Sequence, residues 1–189
     1  SRGIALINNC LSEYEAMDNG MGTLALTLFR SVRNMICTTG PTYNKFDEQK
    51  GGQSLGLQEY EYAIYPHKGY WDDALVYNEA ESFNVPLRLV QTSAHSGFLP
   101  LKQEFICVEP LNLVVSALKK AEDSDSIIIR LYNPTDNMIK GSIKINSAIN
   151  GAYLTNLNEE RQESLKYDGQ CITIAAGSNK IITLELVLK

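Results

Sequence analysis

The sequence predicts a mostly β chain built as an antiparallel sandwich, and three observations carry that reading. Apolar and polar residues alternate over short runs, clusters of turn residues separate those runs, and in the last third the turns recur roughly every 10 to 20 residues. Strands joined by such short connections pair antiparallel, because a parallel pair needs a long and usually helical crossover. The 189 residues are 44% hydrophobic and 21% charged, enough apolar material for a packed core and too little charge for a disordered chain.

The elements follow in order. Leu24, Leu26 and Leu28 share one face of a predicted strand, with Ala25, Thr27 and Phe29 on the other. Between Trp71 and Phe83 a short helix is predicted: Asp72-Asp73 suit a helix N-terminus, and Ala74, Tyr77 and Ala80 recur at helical spacing. Pro110 to Ala121 fits two periods, a helical stripe of Leu111, Val114, Val115 and Leu118 or a strand of Leu113, Val115 and Ala117. Ile127–Tyr132 is short and rich in β-branched residues, so it reads as a buried strand. Ile143-Lys144-Ile145, Ile172-Thr173-Ile174 and the alternating run from Ile181 to Leu188 complete the strands. Asp18-Asn19-Gly20, Asn133 to Asn137, Asn150-Gly151, Asp168-Gly169 and Gly177-Ser178-Asn179 are the turns between them. The polar stretch Gln91 to Gln103 is the expected linker, and residues 40–58 form a second loop-like segment.

Charge and cysteine usage narrow the function classes. A formal charge of −5, from 17 Lys+Arg against 22 Asp+Glu, argues against a phosphate-tracking nucleic-acid surface. No apolar run approaches the ~18 residues of a membrane span. Ser1-Arg2-Gly3-Ile4 lacks the layout of a secretory signal and starts without methionine, so the chain reads as a piece of something longer. Cys10, Cys37, Cys107 and Cys171 form no C-x-x-C pair, which argues against a thiolate metal site. Free thiols and a cytoplasmic location are the expectation, with disulfides left open.

Several residue sets invite a chemical reading. Glu13 with Glu15, and Glu59 with Glu61, each place two carboxylates on one face of an extended segment, as glycosidase chemistry needs, but such pairs are common on solvated faces. His67, followed by Asp72 and Asp73, suggests a metal or acid–base role against the commoner case of a backbone-bonded loop histidine; His95 lies in the expected linker. Tyr60, Tyr62, Tyr65, Tyr70, Trp71 and Tyr77 could stack on sugar rings or could pack a sheet. Arg30 closes the first strand, where its guanidinium could reach an anion or sugar hydroxyls, or form a salt bridge. Nucleotide-binding glycine loops and a nucleophile elbow are missing from the sequence, and no catalytic residue or metal ligand is assigned.

Taken together, Gly22–Ser31, Glu61–His67, Tyr77–Ala80, Asn84–Leu87, Val108-Glu109-Pro110, Ser116–Glu122, Arg130–Asn133 and Thr155-Asn156-Leu157 resemble the C-terminal β region of glycoside hydrolase family 38, the α-mannosidases, especially its bacterial members. The resemblance implies an all-β chain of two antiparallel β-sandwich units with at most one or two short helices, and it favours a strand over 110–121. Residues 1–95 would belong to a large sandwich, open to being an incomplete supersandwich, 96–103 to a linker and 104–189 to a smaller terminal sandwich. It also implies a non-catalytic portion of a retaining α-mannosidase that packs on an N-terminal catalytic domain of the same polypeptide, where zinc is expected. Arg30, Tyr65 and His67 would then be substrate-binding candidates toward a mannoside, in a cytoplasmic protein able to form homo-oligomers. The rival reading is a stand-alone carbohydrate-binding or purely structural sandwich module.

Overall fold

A computed structural model describes residues 2–18, 20–32 and 50–189. Thirteen strands and one α-helix follow one another: β1 (Arg2–Asn8), β2 (Tyr14–Met17), β3 (Thr23–Leu26), β4 (Tyr62–Lys68), α1 (Val76–Asn84), β5 (Ile106–Glu109), β6 (Val114–Lys120), β7 (Ile127–Tyr132), β8 (Ile139–Ile145), β9 (Ile149–Thr155), β10 (Arg161–Ser164), β11 (Tyr167–Asp168), β12 (Cys171–Ala176) and β13 (Ile181–Leu188). A 3-10 turn at Lys50–Gln53 precedes β4, and the expected loop over 40–58 lies outside the described residues as far as 49.

The last nine strands form a sandwich. One sheet has the order β10-β9-β13-β7-β6 and the other β11-β12-β8-β5, with every neighbouring pair antiparallel. Alternation decides what lies between the sheets. Ile129 and Leu131 of β7 meet Leu184 and Leu186 of β13 on one side, and Ile143, Ile145, Ile172 and Ile174 close on them from the other. All are less than a tenth exposed, so each contributes roughly the 1.5–3 kcal/mol of a buried aliphatic side chain.

Gly141 marks the tightest approach. A Cβ built there would lie 2.5 Å from the Glu109 carbonyl oxygen and would also strike the Leu113 side chain. The turn after β7 is held by Asn133, which is 1% exposed. Its amide donates toward the carbonyls of Asn137 (2.7 Å), Gly177 (2.9 Å) and Ala176 (3.2 Å), while its oxygen accepts from the Thr135 amide and hydroxyl.

Two bulges explain where the sequence periods mislead. Ser116 is an extra residue in β6 between the pairs Val115↔Leu131 and Ala117↔Arg130, so Val115 and Leu118, which lie opposite the core residues Leu131 and Ile129, stand three apart and imitate a helical spacing. Asn150-Gly151 is not a hairpin turn. It sits inside β9, where Asn150 is the extra residue between Ile149↔Leu188 and Gly151↔Val187.

The first half is organised differently. β1 pairs only with β4, and β2 only with β3, as antiparallel two-stranded ribbons among the described residues. The strand expected through Phe29 ends at Leu26, with one further backbone bond from the Thr27 amide to the Glu13 carbonyl (3.0 Å). The predicted helix is present but starts at Val76, after a turn in which Leu75 adopts a left-handed conformation (φ 52°). α1 buries no residue completely and lies against β1.

Candidate functional site

The three sequence candidates lie in this first half. Arg30 follows β3 in an extended segment tied to residues 50–54. The Val32 amide donates to the Gly52 carbonyl (2.8 Å), the Ser31 hydroxyl to Gln53, and the Ser54 hydroxyl to the Arg30 carbonyl. The Arg30 Nε donates to Glu13 Oε2 at 2.7 Å, yet the side chain stays 75% exposed. Cys10, Thr27 and Phe29 line an open depression with them, about 250 Å³ in volume. Glu13 is thus spoken for by a cation, while Glu15 stands exposed on β2 opposite Ala25.

Tyr65 and His67 are brought together on one face of β4. Their rings stack with centroids 5.9 Å apart, and both are half-buried. Across the ribbon they face Ala5 and Gly3, small residues that leave room for rings. A Cβ at Gly3 would come within 2.6 Å of His67 Nε2, so the imidazole lies flat over the glycine. The Tyr65 hydroxyl donates to the Ala74 carbonyl at 3.2 Å, clipping the ribbon to the turn before α1. His67 Nδ1 is buried without a hydrogen-bond partner, as is the Tyr60 hydroxyl. Arg30 makes its contact with Glu13, separate from this pair.

The other aromatics do not form one platform. Tyr60 stacks on Phe29 at 6.4 Å, Trp71 meets Tyr77 edge-on at 5.3 Å, and Tyr77 meets Tyr132 edge-on at 6.3 Å. Trp71 and Tyr77 therefore join α1 to the sandwich. Two side-chain amides reinforce that joint, Asn78 donating to the Leu111 carbonyl (3.1 Å) and Asn112 to the Asp72 carbonyl (2.9 Å). Burial pushes the Tyr132 hydroxyl up from its ordinary pKa, helped by the charge of Glu81.

Sequence reasoning missed the most charged buried cluster. Glu185 sits on the outer face of the five-stranded sheet, 5% exposed in its central strand. Arg161 grips it with Nε to Oε2 (2.6 Å) and a terminal nitrogen to Oε1 (2.8 Å), and the guanidinium lies 3.9 Å from the Tyr153 ring centroid. The Arg161 hydrogen bonds, with help from Ser126 and Ser124, hold the Glu185 carboxyl below the usual carboxylate range despite its burial. Alternation marks Glu185 as solvent-facing, and only the central place of β13 between two partners reveals otherwise.

Metal chemistry finds no fit here. Among the described residues no three His, Cys, Asp or Glu side chains converge on a common point. Asp72 and Asp73 direct their carboxylates to the Asp73 and Tyr70 amides rather than to His67, and His95 is exposed and bonded to the Ser93 carbonyl. A zinc centre is therefore not assigned to these residues. Cys107 and Cys171 both pair with Lys144 from opposite sides of β8. Two strand spacings of about 4.8 Å separate their backbones, beyond the ~7 Å limit for a disulfide. Cys10, Cys107 and Cys171 are free thiols, and Cys37 lies outside the described residues.

Comparison with known proteins gives a consistent family. Residues 112–184 match the glycosyl hydrolases family 38 C-terminal beta sandwich domain. Alpha-mannosidase G of Dictyostelium discoideum is 28% identical over 131 residues, covering 69% of this chain and 10% of its own. A putative mannosylglycerate hydrolase of Halalkalibacterium halodurans is 29% identical over 132 residues, 70% of this chain and 14% of its own. Alpha-mannosidase 2C1 of Homo sapiens is 28% identical over 160 residues, 83% of this chain and 14% of its own. The crystal structure of an alpha-mannosidase from Enterococcus faecalis V583 shares the fold, with a TM-score of 0.80 at 21% identity over 98% of this chain and 20% of that one. The chain thus spans 10% to 14% of the length of these sequence relatives. Residues 112–184 thus match the C-terminal beta sandwich domain of glycosyl hydrolases family 38, and most of the chain is similar to proteins named as alpha-mannosidases.

Proposed function

We propose that this chain is the non-catalytic C-terminal portion of an α-mannosidase that cleaves terminal α-mannosidic bonds with retention. In this reading it packs on an N-terminal catalytic domain of the same polypeptide and lines part of the substrate cleft. The observation that carries it is the pairing of 98% coverage of this chain with only 20% coverage of the α-mannosidase whose fold it shares. The domain division belongs to the same reading, with 1–95 in a large sandwich unit, 96–103 a linker and 104–189 a smaller unit. So do the cytoplasmic location, a possible homo-oligomer, and zinc held by the catalytic domain.

Arg30 is the leading cleft residue, because its guanidinium is anchored at Nε by Glu13 yet stays largely in solvent, where a sugar hydroxyl could accept from it. Tyr65 and His67 would form an adjoining wall through their stacked rings. Burial of the Tyr65 hydroxyl contact and of His67 Nδ1 makes them positioning groups first.

The test is turnover of an aryl α-mannoside by residues 1–189 with added zinc. No turnover is expected, and zinc-stimulated hydrolysis would refute the non-catalytic assignment. The edge-on packing of Trp71 against Tyr77 weighs against a stand-alone carbohydrate-binding module. Calorimetry with mannose decides that point: millimolar or tighter binding lost in Trp71→Ala would favour the module instead.

A further inference from the structure

The most exposed part of the molecule is residues 84–102, all 19 of them in contact with solvent in the described structure. The stretch leaves α1 at Asn84 and reaches β5 without forming a strand or helix of its own. Its hydrogen bonds are local: the Thr92 hydroxyl and the His95 ring both bond the Ser93 carbonyl. A linker of this length is ordinarily polar. Here Leu87, Leu89, Phe98 and Leu101 are each at least 95% exposed, with Val90 and Leu99 beside them. Single exposed apolar residues need no explanation, but seven within one unpaired segment, Val85 included, mark a surface that something covers.

The path of the segment says what covers it. Two per cent of 189 residues is about four, so the 98% match to the Enterococcus faecalis α-mannosidase takes in most of these 19 residues. Among the described residues nothing in the chain covers these side chains, and in that enzyme, whose fold this chain shares, the other four-fifths of the chain is the available surface. Amides 87–97, which bond no other backbone group among the described residues, fit addition to a sheet edge, with Leu87 and Leu89 two apart on one side.

We propose that residues 84–102, the end of the first unit and most of the linker, also serve as a docking arm, laid against the remaining part of a longer family 38 polypeptide and burying Leu87, Leu89, Phe98 and Leu101 there. This rests on the reading that such a part exists in the same chain. Hydrogen exchange tests it, comparing residues 1–189 alone with the whole polypeptide encoded by the same reading frame. Amides 87–97 are expected to exchange freely in the former and at least about 100-fold more slowly in the latter. Leu87→Asp with Leu89→Asp should leave the urea midpoint of residues 1–189 unchanged and abolish the protection in the whole polypeptide.

Protection gained on β1 and β4 but not on the arm would overturn the arm and keep the docking reading. No gain anywhere would sink both. Protection of the arm in residues 1–189 that rises with protein concentration would assign it to a second copy and overturn the proposal.

Discussion

Residues 106–189 and residues 2–84 differ most in what they bury. The former enclose a cluster of twelve apolar side chains between two sheets. Among the described residues before Leu113, Ile7 is the one buried apolar side chain, while Ile4, Tyr62 and Ile64 of the β1–β4 ribbon remain more than half exposed. A two-stranded ribbon is at best marginally stable alone, whereas two packed sheets sustain a core. The lesson is that the sandwich holds itself together and the ribbons depend on what they pack against.

The largest expected effect tests that contrast directly. Leu131→Ala opens the centre of the sandwich and should cost about 2–5 kcal/mol in urea unfolding. Ile64→Ala on the exposed ribbon face should stay within about 0.5 kcal/mol. Equal losses at the two sites would mean that the ribbons carry a hidden core of their own.

Next comes the turn that closes the sandwich. Asn133→Ala removes the partner of the Thr135 amide and leaves carbonyls of Ala176 and Gly177 without their donor in a buried site. The expected cost is about 1–3 kcal/mol, read as a lower unfolding midpoint with the folded spectrum retained. A neutral result would show that water replaces the side chain there.

The sandwich was largely legible in the sequence, and the ribbons were not. Ile127–Tyr132 and Ile181–Leu188 emerged as β7 and β13 because both are short, β-branched or alternating, and bounded by turn residues. Ser116 and Asn150 were missed because a bulge breaks period two without changing composition. Leu24 to Phe29 alternates as well as any strand, but alternation selects a face only where something covers it, and β3 ends at Leu26 with one further backbone bond from Thr27. Of the candidate site, Tyr65 and His67 were named through the family resemblance, and their stacking follows from lying two apart on β4, a strand that was not predicted. The Glu13 partner of Arg30, 17 positions away, had no sequence signal.

Acid separates the two regions further. Glu185 has its carboxyl lowered in the folded state, so its contribution is present above the ordinary carboxylate value of 4.5 and is lost as pH falls through the folded value. Glu185→Gln should lower the urea midpoint at pH 7, and the gap should narrow toward pH 2 as Glu185 takes up a proton and becomes uncharged like the glutamine. A gap between the two proteins that persists at pH 2 would assign the loss to packing rather than to the Arg161 pair.

The smallest stability effect is expected at Arg30. Its pair with Glu13 is exposed on both sides, and such pairs contribute about 0.2–1 kcal/mol, less at high salt. Arg30→Ala and Glu13→Ala should therefore shift the unfolding midpoint of residues 1–189 slightly and alike. In the whole polypeptide the two variants should part. If Arg30 reaches a sugar hydroxyl, Arg30→Ala lowers kcat/KM by about tenfold, near the worth of one charged hydrogen bond. Glu13→Ala only frees the guanidinium and should cost less. Matching losses from the two would reduce Arg30 to a surface tie, and the ribbon half would then be left without a residue that reaches substrate through a charge.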